Sequence, residues 1–269
     1  MINTVLIKDI DGVMNLVFDQ PLDERNNRHR GYYLYRGLSD VSFKLLTSLQ
    51  RNCGEQSVFL ENNILNNFIK YTAIDSGSDY DNIWRSMILG QHHGLPTRLL
   101  DWTHSPLVGL HFAVSDNLSE LDKRDCVVWR IDIEKLHDLL PKEFHDVMVK
   151  KNAVARVFSV DMLNKVVDSI ENYDQLVSDK SMVVLEPPSL DPRIVNQYAF
   201  FTVVPRGITD IEKFFETSSL EATKYIIDAK LKWRIRDFLD EANISERTIY
   251  PGLDGICKWL ARHYYVKGD

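Results

Sequence analysis

The chain is predicted to be α+β: helical patterns come early, strand patterns occupy the middle and helical patterns return at the end, without the regular alternation of a parallel α/β sheet. Three observations carry that expectation. Between residues 39 and 90 apolar side chains recur every three or four positions, the period of a helix with one face on a core. Residues 181–185 and 199–204 are β-branched or aromatic runs bounded by proline and polar residues, a strand signature. Residues 225–266 return to the helical period.

Taken in order, residues 32–36 read as a short strand. Ser39 or Asp40 then supplies a cap for a helix through Phe43, Leu46 and Leu49. Residues 58–71 carry a stripe of Leu60, Ile64, Phe68 and Tyr71 with the polar face outward. Residues 78–90 repeat the pattern with Tyr80, Ile83, Trp84, Met87 and Ile88, and Gly90 and Gly94 end it. Ser105 and Pro106 fit the cap and first position of a helix through Leu107, Leu110 and Val114. Residues 126–131 form a short apolar strand, and residues 133–173 are helical by period with a break at Pro141. In the last part Leu231, Ile235, Phe238 and Leu239 share one helical face, and Ile256, Trp259, Leu260 and Tyr264 share another.

With 269 residues, 44% of them hydrophobic, the chain has ample material for a buried core, and no repeat or Pro/Gly/Ser-rich linker divides it. Its longest apolar runs, such as residues 200–204, fall far short of the roughly 20 residues that span a bilayer, and no basic-then-apolar leader opens it. The expectation is a soluble, cytoplasmic protein with no membrane partner. Cys53, Cys126 and Cys257 are widely separated, which argues against a disulfide framework or zinc ribbon and for buried small hydrophobes. A net charge of −7 gives no overall field for nucleic acid, although a local basic face would be hidden in that sum. Dinucleotide and phosphate-loop motifs, the Gly-x-Ser-x-Gly elbow and His-Glu-x-x-His are all absent from the sequence.

Residues 91–114 are the most informative stretch. Two His, a Gly-Leu-Pro break, an Arg, an Asp, a Trp, a Thr and a Ser feed directly into a helix, the mixture of rigid walls and directed donors that a ligand pocket requires. His92 and His93 are adjacent, so they point apart, and no Cys or Glu stands at ligand spacing; no metal is expected. Either imidazole can instead donate to a ligand or stack on its ring. If residues 101–103 are extended, Asp101 and Thr103 share one face and Trp102 takes the other. The alternative is that Trp102 is core and Asp101 caps the next turn. Arg36 also reads two ways: as a strand-end ion pair, or as a guanidinium that grips a diphosphate while Gly37 lets the ligand approach the backbone. Arg98 reads as structural, with Asp101 as its local partner.

Tyr35-Arg36-Gly37 resembles the triplet that names the FRG domain, with Tyr in place of Phe. The resemblance continues through Glu61 and Phe68, is strongest from Gln91 to Thr103 with Ser105-Pro106 and Phe112-Ala113, and returns at Arg193-Ile194, Gln197 and Phe201. Residues 249–255 are similar to the family's usual ending. This resemblance implies a single FRG domain over residues 1–269, with a core at 32–210 and a helical part at 211–269. More distantly, the order of the blocks resembles the ADP-ribosyltransferase (ART) superfamily, which implies a split ART-like sheet flanked by helices and NAD as substrate. Arg36, Thr103 and Gln197 would form the catalytic set. Arg36 would hold the diphosphate or ribose with Gly37 beside it, Thr103 and Ser105 would position the nicotinamide ribose, and His92, His93 and Asp101 would line the pocket. The acceptor would be a protein or nucleic acid, in a bacterial toxin or phage-defence setting.

Asn196-Gln197-Tyr198 departs from the Asn-Glu-Tyr that opens the catalytic strand of poly(ADP-ribose) polymerases. A carboxylate stabilises an oxocarbenium-like centre by charge and also hydrogen bonds the ribose 2-hydroxyl; an amide does only the second. Gln197 therefore points to a monofunctional transferase, a slow NAD glycohydrolase or a ligand sensor. Glu186 and Asp191 are candidates for the missing charge, as is Glu61, whose expected home is a solvated helix face. The alternatives are a non-catalytic FRG module that binds a nucleotide or protein, and an enzyme that ADP-ribosylates nucleic acid.

Overall fold

The computed structural model describes residues 1–72, 82–150, 157–189 and 191–268. The chain opens with β1 (Ile2–Ile7) and α1 (Ile10–Phe18), the helix capped by the Asp9 carboxylate, which accepts from the Gly12 N–H. A small ribbon, β2 (Leu22–Asp23) and β3 (Arg28–His29), leads to β4 (Tyr33–Leu38). Then come α2 (Ser48–Cys53), α3 (Ser57–Thr72) and α4 (Ile83–His92), with α2 started by a Thr47/Gln50 capping box. After β5 (Leu99–Thr103), α5 (Pro106–Ala113) begins as its sequence predicts, with the Ser105 hydroxyl accepting from the Val108 N–H and Pro106 in the first turn. The middle holds β6 (Cys126–Asp132), α6 (Ile133–Asp138), α7 (Lys142–Lys150), β7 (Phe158–Ser159), α8 (Val160–Val166) and α9 (Ile170–Val177). It continues through β8 (Val183–Glu186), α10 (Pro192–Asn196), β9 (Ala199–Val203) and α11 (Ile211–Thr217). The last elements are β10 (Ala222–Ile227), α12 (Lys232–Glu241), α13 (Glu246–Ile249) and α14 (Leu253–His263).

All strands but the ribbon join one mixed sheet in the order β1-β10-β6-β4-β5-β9-β8-β7. The seam between β4 and β5 is narrow. Six residue pairs join β4 to β6 and five join β5 to β9, whereas β4 meets β5 only at Tyr35↔Thr103. The sheet is thus two half-sheets that splay apart beyond that pair.

The cores repeat this division on one face only. Leu34, Trp102, Trp129, Val184 and Phe200, from both halves, pack with α6 and α11 in one continuous cluster. On the opposite face Tyr35, Val128 and Tyr225 pack with Leu16, Leu110 and Ile235 from α1, α5 and α12. There the other half has its own cluster, in which Leu99, Leu185, Phe201 and Val203 meet Leu65, Trp84, Phe144, Leu163 and Tyr173. A shared core holds the halves together while separate cores let them part. The opening between them is where ligand-facing side chains can gather.

Several expectations are corrected. The part after residue 210 is mainly helical, but β10 lies inside the sheet between β1 and β6, and β1 extends the sheet from outside the expected 32–210 core. Arg36 lies within β4 rather than at its end. Residues 39–47 are irregular: the Asp40 carboxylate accepts from the backbone and hydroxyl of Ser42 and pairs with Arg124 at 3.0 Å, making a turn instead of a helix cap. Helix α3 buries Glu61 and Leu65, while Leu60 and Tyr71 are exposed, because Glu61 is drawn inward by Arg98. The expected stripe is therefore rotated. Of the cysteines only Cys126 is buried; Cys257 is exposed on α14. Ile256 and Leu260, expected on a packed face, are exposed there too. Residues 78–81 and 151–156, both assigned helical by period, lie outside the described residues.

Candidate functional site

A cleft of about 390 Å³ opens at the seam between the half-sheets, bounded by Phe112 of α5 on one side and Phe201 of β9 on the other. Its wall includes Arg36 and Gly37 from β4, Ser48, Arg51 and Asn52 from α2, Gln91 and His92 from α4, and Asp101 and Thr103 from β5. Arg193, Ile194 and Gln197 complete it from α10 and the turn into β9. Arg36, Thr103 and Gln197, separated by most of the chain, therefore share one cavity. Tyr198 adopts a left-handed conformation, φ 48°, and turns the chain sharply from α10 into β9, which leaves Gln197 at the mouth of that strand.

Arg36 bridges the gap where the strands splay. Its Nη1 donates to the Asp101 carbonyl at 2.6 Å and lies 3.5 Å from the Asp101 carboxylate, while its buried Nε has no hydrogen-bond partner among the described residues. Burial lowers the pKa of this guanidinium, Asp101 opposes that shift, and nearby Arg51 adds to it. The main chain, more than the carboxylate, anchors the arginine.

Thr103 is buried, and its hydroxyl donates to the Gln197 carbonyl at 2.7 Å and accepts from the Ser105 N–H. The Gln197 amide in turn donates to the Ile249 carbonyl at 3.3 Å, and Asn196 donates to the Thr248 carbonyl at 2.7 Å. These bonds fasten α10 and the start of β9 to α13. Beneath them runs a charged network: Arg262 binds Asp240 and Glu246, and Arg236 donates to His111 and to the Ile244 carbonyl. Burial works against the Glu246 anion, but the Arg262 hydrogen bonds hold its pKa down at about 2.

Gln91 sits at the centre of a polar relay. Its Oε1 accepts from the Thr97 hydroxyl at 2.6 Å and the Ser48 hydroxyl at 3.2 Å, so its NH2 is turned toward Asp101 and donates to both carboxylate oxygens at 3.1 Å. His92 Nε2 lies 3.3 Å from the Asp191 carboxylate. A second, more open depression of about 700 Å³ shares His92 and Arg193 with the cleft and continues over Tyr250 and Lys258, where the Arg193 guanidinium lies 5.1 Å from the Tyr250 ring centre.

Other expected residues play different parts. His93 is exposed and outside the cleft, packing edge-on against His92 at 5.1 Å. Ser105 is also outside, its hydroxyl spent on the α5 cap. Gly37 lines the cleft, yet its missing side chain makes room for α5: a Cβ would stand 2.1 Å from the Gly109 carbonyl oxygen. Arg98 does not pair with Asp101. It binds Glu61 and Asp174, which raise its pKa against the effect of burial, and Glu61 is buried in that network with no access to the cleft. Trp102 is core, donating to the Thr202 hydroxyl, and Asp101 is exposed to the cleft rather than capping a turn. Glu186 and Asp191 are absent from the wall.

Gln91, Arg51 and Arg193 also line the cleft, although their residue types alone do not mark them as site residues. Gln91 opens the informative stretch, so its position carried a signal; Arg51 is a surface cation on a short helix and carried none. Among the described residues no group of three or more His, Cys, Asp or Glu is placed to hold a metal ion, and no helix is long and apolar enough to cross a membrane.

Residues 31–122 match the family model of the FRG domain, which supports kinship with that family over the stretch holding Arg36, Gln91, Asp101 and Thr103. The Gln197 side of the cleft lies beyond the matched residues. No curated protein and no solved structure matches the chain.

Proposed function

We propose that the cleft binds NAD and opens its nicotinamide–ribose bond, passing ADP-ribose to a macromolecular acceptor or to water. The observation that carries this reading is the meeting of Arg36, Thr103 and Gln197 at the split in the sheet. Ligand charge supports it as well: Arg36, Arg51 and Arg193 face a cavity whose lining, among the described residues, includes a single acidic residue, Asp101, in a chain of net charge −7. Such a local cationic cluster fits a diphosphate. Thr103 acts chiefly by holding the Gln197 backbone in place, and the Gln197 side chain reaches the nicotinamide ribose once its bond to Ile249 is exchanged.

Purified protein incubated with NAD labelled in its adenylate half, alone and then with protein or nucleic acid, tests the reading. Free labelled ADP-ribose or a labelled macromolecule is expected, and Arg36→Ala should weaken NAD binding at least about tenfold while retaining the fold. Absence of both NAD binding and NAD cleavage would refute it. A second reading, a nucleotide-binding module without turnover, is favoured by the amide at Gln197 and its bond to Ile249. Saturable NAD binding with no release of nicotinamide selects that alternative.

A further inference from the structure

Resting on the NAD-cleaving reading, we infer that Asp101 is the catalytic carboxylate of this cleft, doing by charge what Gln197 cannot. Of the three carboxylates considered from sequence, Glu61 is buried against Arg98, Asp191 caps α10 beside His92, and Glu186 stands exposed at the end of β8. None lines the cavity, whereas Asp101 does.

The surroundings of Asp101 suit an active carboxylate better than a structural counterion. Arg36 reaches its side chain only at 3.5 Å and spends its short bond on the main-chain carbonyl, so the charge is not quenched by a tight ion pair. The firm partner is neutral: the Gln91 amide touches both oxygens, and its orientation is fixed by Thr97, which is 1% exposed, and by Ser48. A neutral donor orients a carboxylate without cancelling its charge. The side chain itself is 55% exposed and open to a ligand. Thr103, on the same strand face two residues along, lies about 7 Å away, so Asp101 and the Gln197 anchor line the same cleft.

The chemistry balances with NAD and water alone. The bond from ribose C1′ to the nicotinamide nitrogen breaks, and both electrons leave on nicotinamide, which departs neutral. Asp101 faces the cationic C1′ as it forms. Water, or an acceptor hydroxyl, supplies the electron pair for the new C1′–O bond and gives its proton to Asp101, which returns it to solvent. Gln91 is a positioning residue: it acts through the carboxylate that it holds.

Nicotinamide release and NAD affinity are to be measured together on wild type, Asp101→Asn, Asp101→Glu, Gln91→Ala and Glu186→Gln, with thermal melting as the check on folding. Asp101→Asn should lose at least about 100-fold in turnover while its NAD dissociation constant stays within about threefold. Asp101→Glu should recover part of the loss, Gln91→Ala should lower kcat with little change in KM, and Glu186→Gln should match wild type. Turnover in Asp101→Asn within threefold of wild type overturns the assignment and leaves the NAD reading standing. Binding without cleavage in every protein, or no binding at all, overturns that reading and the assignment together.

Discussion

Acidification should unfold this protein through two buried histidines. His111 on α5 is 0% exposed and its Nδ1 accepts from Arg236 Nη1 at 2.9 Å; His137 on α6 is 4% exposed and its Nε2 accepts from the Val184 N–H at 3.1 Å. Each ring therefore carries its proton on the other nitrogen, which has no hydrogen-bond partner among the described residues. A second proton would have to sit on the accepting nitrogen, facing a donor. Burial, with Arg236 as the next cause at His111 and His145 at His137, pushes both pKa values down to about 3 from 6.5. Below pH 6.5 the unfolded chain binds protons that the native chain refuses, so stability falls as pH drops from 6.5 toward 3.

The slope is about 1.4 kcal/mol per pH unit for each histidine, so moving from pH 7 to pH 5 costs about 2 kcal/mol each. About 4 kcal/mol is a large share of a typical folding free energy. His137→Gln isolates one contribution, because the glutamine Oε1 can accept from Val184 without titrating. Urea unfolding at pH 7, 6 and 5 is the assay. The variant should lose about 2 kcal/mol less than wild type between pH 7 and 5, a comparison from which the carboxylates common to both proteins cancel. Equal losses in the two proteins would refute the buried-acceptor argument.

Glu61→Ala should cost about 3–5 kcal/mol in urea unfolding, since it strips one carboxylate from the buried Arg98 network and leaves Asp174 to serve both Arg98 and Arg206; a loss under about 1 kcal/mol would mean that water or a rearranged partner satisfies Arg98. Gly37→Ala should lower the melting temperature and cost at least about 2 kcal/mol, because its Cβ meets backbone atoms of α5 at 2.1 and 2.4 Å. A Gly37→Ala protein as stable as wild type but deficient in ligand binding would restore the reading of Gly37 as a ligand-approach residue.

What was legible in the sequence follows from how local each cause is. The α5 start at Ser105-Pro106 and the Asp101/Thr103 face of β5 depend on neighbours in the chain, and both could be read directly. Strand β10 could not: its alternation in residues 222–227 is short, and its place between β1 and β6 is set by partners far away in sequence. The orientation of α3 was hidden for a related reason. A glutamate on a helix reads as solvent-facing until an arginine is known to be waiting inside, and Arg98 lies 37 residues further on.

The cleft shows the same limit at higher stakes. Residue types named the ends of the polar contacts more often than their partners: Arg36, Asp101 and Gln197 are expected at the site, but Gln91, whose amide sets the Asp101 carboxylate, opens the informative stretch without a site role of its own. Its importance comes from two hydroxyls that dictate which way the amide points, and one of them, Ser48, comes from a different helix. Removing Ser48 or Thr97 would take one of the two hydroxyl donors from the Gln91 Oε1 and loosen the amide that positions Asp101. The orientation of the carboxylate is therefore a property of the folded cluster, and a change at Thr97, buried and outside the cleft wall, should disturb the cleft.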